Sequence, residues 1–270
     1  MALGPNDDFS RTRQMTRAEA EAVEVDVGLR QYMLRVYNYM ASGLLLTGIV
    51  AYGGVRIPAV LNMLYAPVPG GGVQPTMLAY VVMFAPLAFI LVLSFGVQRM
   101  KASTAQTIFW VFAAVMGLSL TNIFLIYTGA SIARVFFITA ATFASMSVYG
   151  YTTKRDLSRF GSFLMMGLIG VIIASVVNMF VASTAMQFVI SVVGVLVFVG
   201  LTAHDTQKIK LMYSEFDHAE AATKKAVMGA LHLYLDFLNL FLLLFLGITI
   251  PAVFYIIWGV MEVTSIPIAS

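Results

Sequence analysis

The stretch LHLYLDFLNLFLLLF at residues 231–245 decides the fold class. It is long and apolar enough to lie in lipid, yet it contains an acid, Asp236. A charged side chain near the middle of a bilayer costs roughly 2.5–3.5 kcal/mol on insertion scales, so such a residue faces protein or water and marks a functional site by default. His232 and Asn239 lie four residues before and three residues after Asp236, which puts all three on one face of a helix. We therefore predict a buried polar stripe on an otherwise apolar helix.

The composition of the whole chain is that of a polytopic membrane protein. Of its 270 residues, 60% are hydrophobic and 11% are charged, and the mean hydropathy is +0.89. Such a chain has too little polar surface to coat a globule in water. Its basic residues flank the apolar runs and form no strip interleaved with aromatics, so nucleic acid is not an expected partner. The absence of cysteine excludes disulfides and thiolate metal sites.

The apolar runs predict an all-α protein with seven transmembrane helices. A helix crossing a hydrocarbon core of about 30 Å needs roughly 20 apolar residues, and in lipid only a helix bonds its own backbone within one segment. The segments that qualify are 33–54, 77–98, 105–127, 131–151, 162–183, 186–204 and 226–247.

These spans divide the chain into three parts. Residues 1–29 form a polar tail without the apolar core of a signal peptide, residues 30–247 form the transmembrane domain, and residues 248–270 form an apolar extension. The extension contains Pro251 and is either a kinked continuation, an interfacial helix or a short extra crossing. The first loop on the outer side, residues 65–76, is rich in Pro and Gly and is predicted to be irregular.

The distribution of Lys and Arg predicts a cytoplasmic N-terminus. Fourteen of the sixteen basic residues lie in the tail, at the start of the first span or in alternate loops: Arg11, Arg13, Arg17, Arg30, Arg35, Arg99, Lys101, Lys154, Arg155, Arg159, Lys208, Lys210, Lys224 and Lys225. Only Arg56 and Arg134 lie in the other connections. By the positive-inside rule the first set is cytoplasmic. Seven spans would put the C-terminus outside and eight would put it inside, which the sequence leaves open.

The expected partner of Asp236 is Asp205, which closes the sixth predicted span in GLTAHDTQKIK. The loop after it returns the chain to the same side, so the sixth and seventh helices can be antiparallel neighbours. The two carboxyl groups meet only if Asp205 lies deeper than the span boundary or water enters from the cytoplasm. A pair in contact would share one proton and titrate near physiological pH, and Arg99, in FGVQRMK, is the expected cation that latches it.

Each of these residues also has a plainer interpretation. Asp205 could lie at headgroup level, His232 could be a satisfied interior histidine, and Asn239 could simply bond one helix to another. Asp236 has the weakest structural explanation, because a carboxylate in mid-span is the most costly of the set.

Two motifs resemble a known family. HDTQKIK and LYLDFLNLFLLL are similar to the closing signature of the Bax inhibitor family, the transmembrane Bax inhibitor motif proteins, in its bacterial branch. The opening GLRQYMLRVYNYMASGLLLTG resembles the first span of bacterial members, and the likeness covers about residues 28–247.

The resemblance implies six helices around a central seventh and a pH-sensitive calcium leak gated by a hydrogen-bonded aspartate pair. By matched position the pair is Asp205 and Asp236, and Arg99 corresponds to the latch when GLSL at 117–120 is the anchor. Two features depart from the family. His204 stands where relatives usually carry Tyr, so an imidazole could shift the titration of the pair or add its own. The chain also continues through FLGITIPAVFYIIWGV, which could cover the mouth of a pore.

The sequence therefore favours a cation leak channel of the cell (inner) membrane, with Asp205 and Asp236 as a weak, transient calcium site. Its expected partners are the bilayer, calcium ions and protons, with no cofactor; protein partners are left open. A proton-coupled transporter and a non-transporting regulator of other membrane proteins are alternatives. An aspartyl protease is disfavoured because no Gly-x-Gly-Asp surrounds either acid, and no other enzyme motif is found. Gly43, Gly117 and Gly170 are expected to let helices pack closely.

Overall fold

The computed structural model describes residues 17–67 and 73–246. The first sixteen residues and the predicted extension at 248–270 lie outside this part of the chain. The helices in chain order are α1 (Arg17–Arg56), α2 (Pro58–Leu64), α3 (Met77–Gly96), α4 (Ala102–Ser119), α5 (Thr121–Ile126), α6 (Gly129–Thr152), α7 (Ser158–Val181), α8 (Thr184–Leu211) and α9 (Ala219–Leu246). Two short strands, β1 (Tyr65–Pro67) and β2 (Val73–Pro75), lie between α2 and α3.

The predicted helical membrane fold is confirmed. In the described part of the chain, six spans are long and apolar enough to cross a membrane, and the bent pair of α1 and α2 makes a seventh if it is counted as one span. The two helices of that pair meet at 90°. The bend falls at Ile57, which is extended, and Pro58 begins the next helix at the position where its missing N–H costs nothing.

Two local features refine the sequence prediction and one contradicts it. Helix α1 begins at Arg17, so the last part of the predicted polar tail, RAEAEAVEVDV, continues the span as helix because it is rich in strong helix formers. The third span is broken at Leu120 into α4 and α5. The loop at residues 65–76 was wrongly predicted to be irregular, because β1 and β2 pair antiparallel with Ala66 opposite Gln74.

Helix α9 is the centre of the bundle. Of its most apolar 18-residue stretch, 94% is buried, against 17–50% in the other five of these six spans. Helices α1, α4, α6 and α8 pack directly on it, while α3 packs on α4 and α7 packs on α8. The predicted arrangement of six spans around a seventh is therefore confirmed, with four of the six in direct contact with the central helix.

Glycines set how closely some of these helices approach. A Cβ added at Gly117 on α4 would lie 2.6 Å from the carbonyl oxygen of Thr47 on α1, and one added at Gly43 would lie 2.9 Å from the Phe109 ring. The tightest contact to backbone is at Gly150 on α6, where an added Cβ would lie 2.2 Å from the carbonyl oxygen of Ala203 on α8. The prediction for Gly170 is wrong, since nothing lies within 4 Å of its Cβ position.

Candidate functional site

The polar stripe on α9 is buried as predicted. His232, Asp236 and Asn239 are exposed by 5%, 1% and 4%. Asp236 interacts with Asp205 of α8, and two turns further along α9 the side chain of Leu243 covers Gly194, also on α8. The stripe therefore runs along the interface between α8 and α9.

Asp205 lies inside α8 and not at its end. The sequence ends the sixth span at residue 204, but α8 continues to Leu211 and Asp205 is only 4% exposed. The helix extends because TQKIKL contains no breaker and carries Lys208 and Lys210 in its last turn, where cations complement the helix dipole. Asp205 is therefore buried and away from the helix end, as an approach of the two carboxyl groups requires.

The carboxyl groups of Asp205 and Asp236 are neighbours at the centre of the bundle. They interact electrostatically and lie close enough to act as side-chain hydrogen-bond partners. Oδ2 of Asp236 makes no hydrogen bond of standard geometry within the described residues, and the same holds for Nδ2 of Asn239 one turn away. A buried polar group left unpaired costs about 1–3 kcal/mol. A small polar species that donates to Oδ2 of Asp236 and accepts from Nδ2 of Asn239 would satisfy both groups.

His204 joins this pair to the surface. Its Nδ1 lies 2.7 Å from Oδ1 of Asp205, and its side chain is 19% exposed. The imidazole packs against Gly161 of α7, where an added Cβ would lie 2.3 Å from the ring, so glycine at 161 makes room for it. His204 also acts electrostatically on the exposed Asp156, whose pKa is lowered first by hydrogen bonds from Ser158. The imidazole thus lies between one exposed and one buried acid.

His232 is arranged differently, although it lies on the same stripe as Asp236. Its Nδ1 lies 2.7 Å from the carbonyl oxygen of Met228, one turn earlier on α9. One ring nitrogen is thus bonded within the helix, and the role of His232 stays a prediction.

Lys208, rather than Arg99, is the cation that acts electrostatically on Asp236. Lys208 follows Asp205 by three residues on α8 and acts on Asp236 electrostatically. Arg99 lies exposed in the turn after α3, and it forms no ion pair with an acid in the segments that the structure describes. The latch role of Arg99 stays a prediction. Sequence reasoning passed over Lys208, although its spacing of three from Asp205 was a usable signal.

Two hydrogen-bond chains hold the helices around the pair. The Tyr234 hydroxyl of α9 lies 2.6 Å from Oγ1 of Thr47, and Thr47 also donates to the carbonyl oxygen of Ala113 on α4 at 2.8 Å.

The second chain leads toward Asp205. Tyr37 on α1 bonds Ser147 on α6 at 2.5 Å, and Ser147 bonds Thr206 on α8 at 2.9 Å. These residues are common in membrane helices, so no sequence signal singled them out.

The site offers few ligands to a metal ion. Within residues 17–67 and 73–246 there is no cluster of three or more His, Asp, Glu or Cys side chains that could hold one. Two carboxylates with one amide nearby could bind a hard cation only weakly, since calcium takes six to eight oxygen ligands.

Comparison with known proteins identifies the family. The model of the family described as "Inhibitor of apoptosis-promoting Bax1", Bax1-I, matches residues 29–250. The chain belongs to the Bax inhibitor family. All the candidate site residues, from Arg99 to Asn239, lie within the matched range, so the proposed site is part of the family's shared domain.

Several relatives match this Bax inhibitor family protein over most of their length. A protein of Rickettsia prowazekii is 49% identical over 242 residues, covering 89% of this chain and 98% of that protein. A protein of Caulobacter vibrioides is 46% identical over 248 residues, covering 90% and 97%. The Escherichia coli inner membrane protein YbhL is 44% identical over 224 residues, covering 82% and 92%. With the apolar helices, these relatives support a multi-pass membrane protein.

Proposed function

We propose that this protein is a pH-sensitive leak channel for calcium in the inner membrane, with its N-terminus in the cytoplasm and its gate at Asp205 and Asp236. The observation that carries the proposal is the burial of two interacting acids, from the packed helices α8 and α9, at the centre of the bundle. Isolated acids in that position are costly, and a pair that shares a proton is a switch whose charge depends on pH.

The chemistry of the pair suits a permeating divalent cation. Carboxylate oxygens are hard ligands of the kind that calcium prefers, and two of them bind it incompletely. Conduction requires binding that is strong enough to admit an ion and weak enough to release it. Asn239 lies one turn further along α9, and its amide nitrogen is unpaired within the described residues. It extends the polar surface of the pair by one turn, and the next residue on this face, Leu243, is apolar.

The gate would respond to protons through the net charge of the pair. With one shared proton the pair carries a single negative charge, which is attracted to a nearby cation and holds α8 and α9 together. A second proton removes that charge and with it the attraction. Leak should therefore increase as the pH falls.

Calcium flux into liposomes tests the proposal directly. Purified protein is reconstituted with a calcium-sensitive dye inside the vesicles, and flux is measured between about pH 6 and about pH 8, the range around neutrality over which the proposed gate would change its charge. We expect flux above that of protein-free vesicles, increasing toward acid pH, with no requirement for a counter-substrate. Flux that needs an opposing proton gradient would identify a transporter, and absence of flux at every pH would reject the channel.

Removing each of the two candidate cations in turn tests which one acts as the latch. A partly exposed charge pair contributes about 0.5–1 kcal/mol, equivalent to about a two- to fivefold change in an equilibrium. We expect Lys208→Gln to increase leak at neutral pH by that factor, because Lys208 is the cation that acts on Asp236. Arg99→Ala tests the sequence-based latch in the same assay. An increase for Arg99→Ala alone would return that role to Arg99.

Removing the imidazole at 204 should move the midpoint of the pH response. In the tautomer that carries its proton on Nδ1, His204 donates to the Asp205 carboxylate at 2.7 Å. His204→Phe removes this donor, so we expect the leak midpoint to move to higher pH. His218→Phe, at an exposed position between α8 and α9, is the matched control. An unchanged midpoint in His204→Phe would remove the imidazole from the pH response.

A further inference from the structure

A groove separates α1 from α6 and reaches the central helix. Its volume is about 590 Å³, and its floor includes Phe237 of α9. The walls are mostly apolar, with Met33 and Met40 on α1 and Ala140 and Phe143 on α6. This volume is within the range of small-molecule sites, roughly 300–1,000 Å³.

The groove opens on the side of the bundle that faces lipid. Leu34 and Val148 line its two walls and are 52% and 63% exposed, as expected of side chains that meet acyl chains. Exposed Arg30 lines one end, and it forms no ion pair with an acid at residues 27–67 or 73–246. The groove thus combines an apolar slot at membrane depth with one cation at its end.

We propose that this groove binds an acyl chain of an anionic phospholipid, whose phosphate pairs with Arg30. Arg30 lies in the N-terminal part of α1, at the basic end of the bundle, where a headgroup of the cytoplasmic leaflet would lie. The chain's own termini fit the groove less well. Residues 1–16 are polar and carry Arg11 and Arg13, and the apolar extension starts beyond Leu246, at the opposite end from Arg30.

The bound lipid would contact the neighbour of one gate acid directly and reach the neighbour of the other through hydrogen bonds. Phe237 on the groove floor follows Asp236, and groove residues Tyr37 and Ser147 lead by hydrogen bonds to Thr206, which follows Asp205. Lipid in the groove should therefore bias the position of α8 against α9 and alter the leak. This second effect rests on the proposed function, whereas binding does not.

Lipid binding is measured first, without any flux. The full-length protein is exchanged into mixed phosphatidylglycerol and phosphatidylcholine, and the lipid that it retains is counted by native mass spectrometry. We expect wild type to retain phosphatidylglycerol and Ala144→Trp, which fills the groove, to retain neither lipid there. Arg30→Gln, a surface change, should lose about fivefold in preference for the anionic lipid.

Matched controls lie on the same two helices. Ala141 is exposed on α6 and Arg35 is exposed on α1, and neither lines the groove. Ala141→Trp and Arg35→Gln should retain lipid as wild type does. Equal retention in Arg30→Gln and Arg35→Gln, or a photoreactive acyl chain that labels all lipid-facing helices evenly, would overturn the proposal. Loss of lipid in Ala144→Trp with unchanged leak would preserve the site and reject only its link to the gate.

Discussion

Asp236→Asn is expected to make calcium leak insensitive to pH between about 6 and about 8. Asn has the shape of Asp but carries no titrating proton, so the pair can no longer change its charge by gaining a second one. Asp236 is 1% exposed and interacts with Asp205, so no solvent-exposed acid can replace it. Calcium flux measured at several pH values in liposomes should give a sloping curve for wild type and a flat one for the variant.

Asp205→Asn should give the same flat curve, since in the proposed gate the two acids share one proton. The double variant should then add little to either single variant. A coupling energy of roughly 0.5–3 kcal/mol is typical of residues in contact, equivalent to a roughly 2- to 150-fold departure from additivity.

Asp217→Asn is the matched control for these substitutions. Asp217 lies between α8 and α9, where it pairs with Lys225 at 2.8 Å, and its loss should leave the slope of the pH response intact. If the curves of Asp236→Asn and wild type coincide at every pH, the gate does not lie at this pair.

Gly150→Ala is expected to have the largest effect on stability. The added Cβ would lie 2.2 Å from the Ala203 carbonyl oxygen, and the obstacle is backbone, which cannot rotate away as a side chain would. Overpacking of this kind costs about 1–3 kcal/mol, whereas replacing a helical glycine with alanine gains at most about 1 kcal/mol. The clash should dominate, so the midpoint of thermal unfolding in detergent should fall. Because Ala203 is two residues from Asp205, the pH response should also change.

Gly170→Ala supplies the control of opposite sign. Gly170 is exposed on α7 and nothing lies within 4 Å of its Cβ position. Only the gain in helix propensity remains, so we expect unchanged or slightly increased stability. A variant at 150 as stable as the one at 170 would mean that α6 and α8 can separate at little cost, contrary to their close packing.

The spans were largely predictable because lipid imposes a simple rule on sequence. Runs of about 20 apolar residues must be helical in a bilayer, and every predicted run corresponds to a helix or a bent pair of helices. Boundaries were less predictable. Residues 17–29 and the last turns of α8 are polar yet helical, since helix propensity and tertiary contacts can extend a helix beyond the apolar run.

The candidate site was predictable in its acids and less so in its other members. Asp236 stood out because a carboxyl group in an apolar run is expensive, and the same reasoning leads to its burial. Sequence reasoning placed both Lys208 and Arg99 in loops and chose Arg99. The sequence does not show which of the two side chains points toward Asp236. The chain from Tyr37 through Ser147 to Thr206 joins three helices and depends on contacts between residues far apart in sequence.

The sequence by itself determined that this is a helical membrane protein with a costly acid in its last described span, because hydrophobic length and the penalty for buried charge depend on composition and order alone. The tertiary structure decided that Asp205 is buried beside Asp236, that Lys208 acts on Asp236, and that a groove opens between α1 and α6. Those features depend on how closely helices approach and how they are rotated. The distance between helices and their rotation are set by side-chain packing, for example where Gly150 meets Ala203. The sequence of one helix does not show which residues of another helix it will contact.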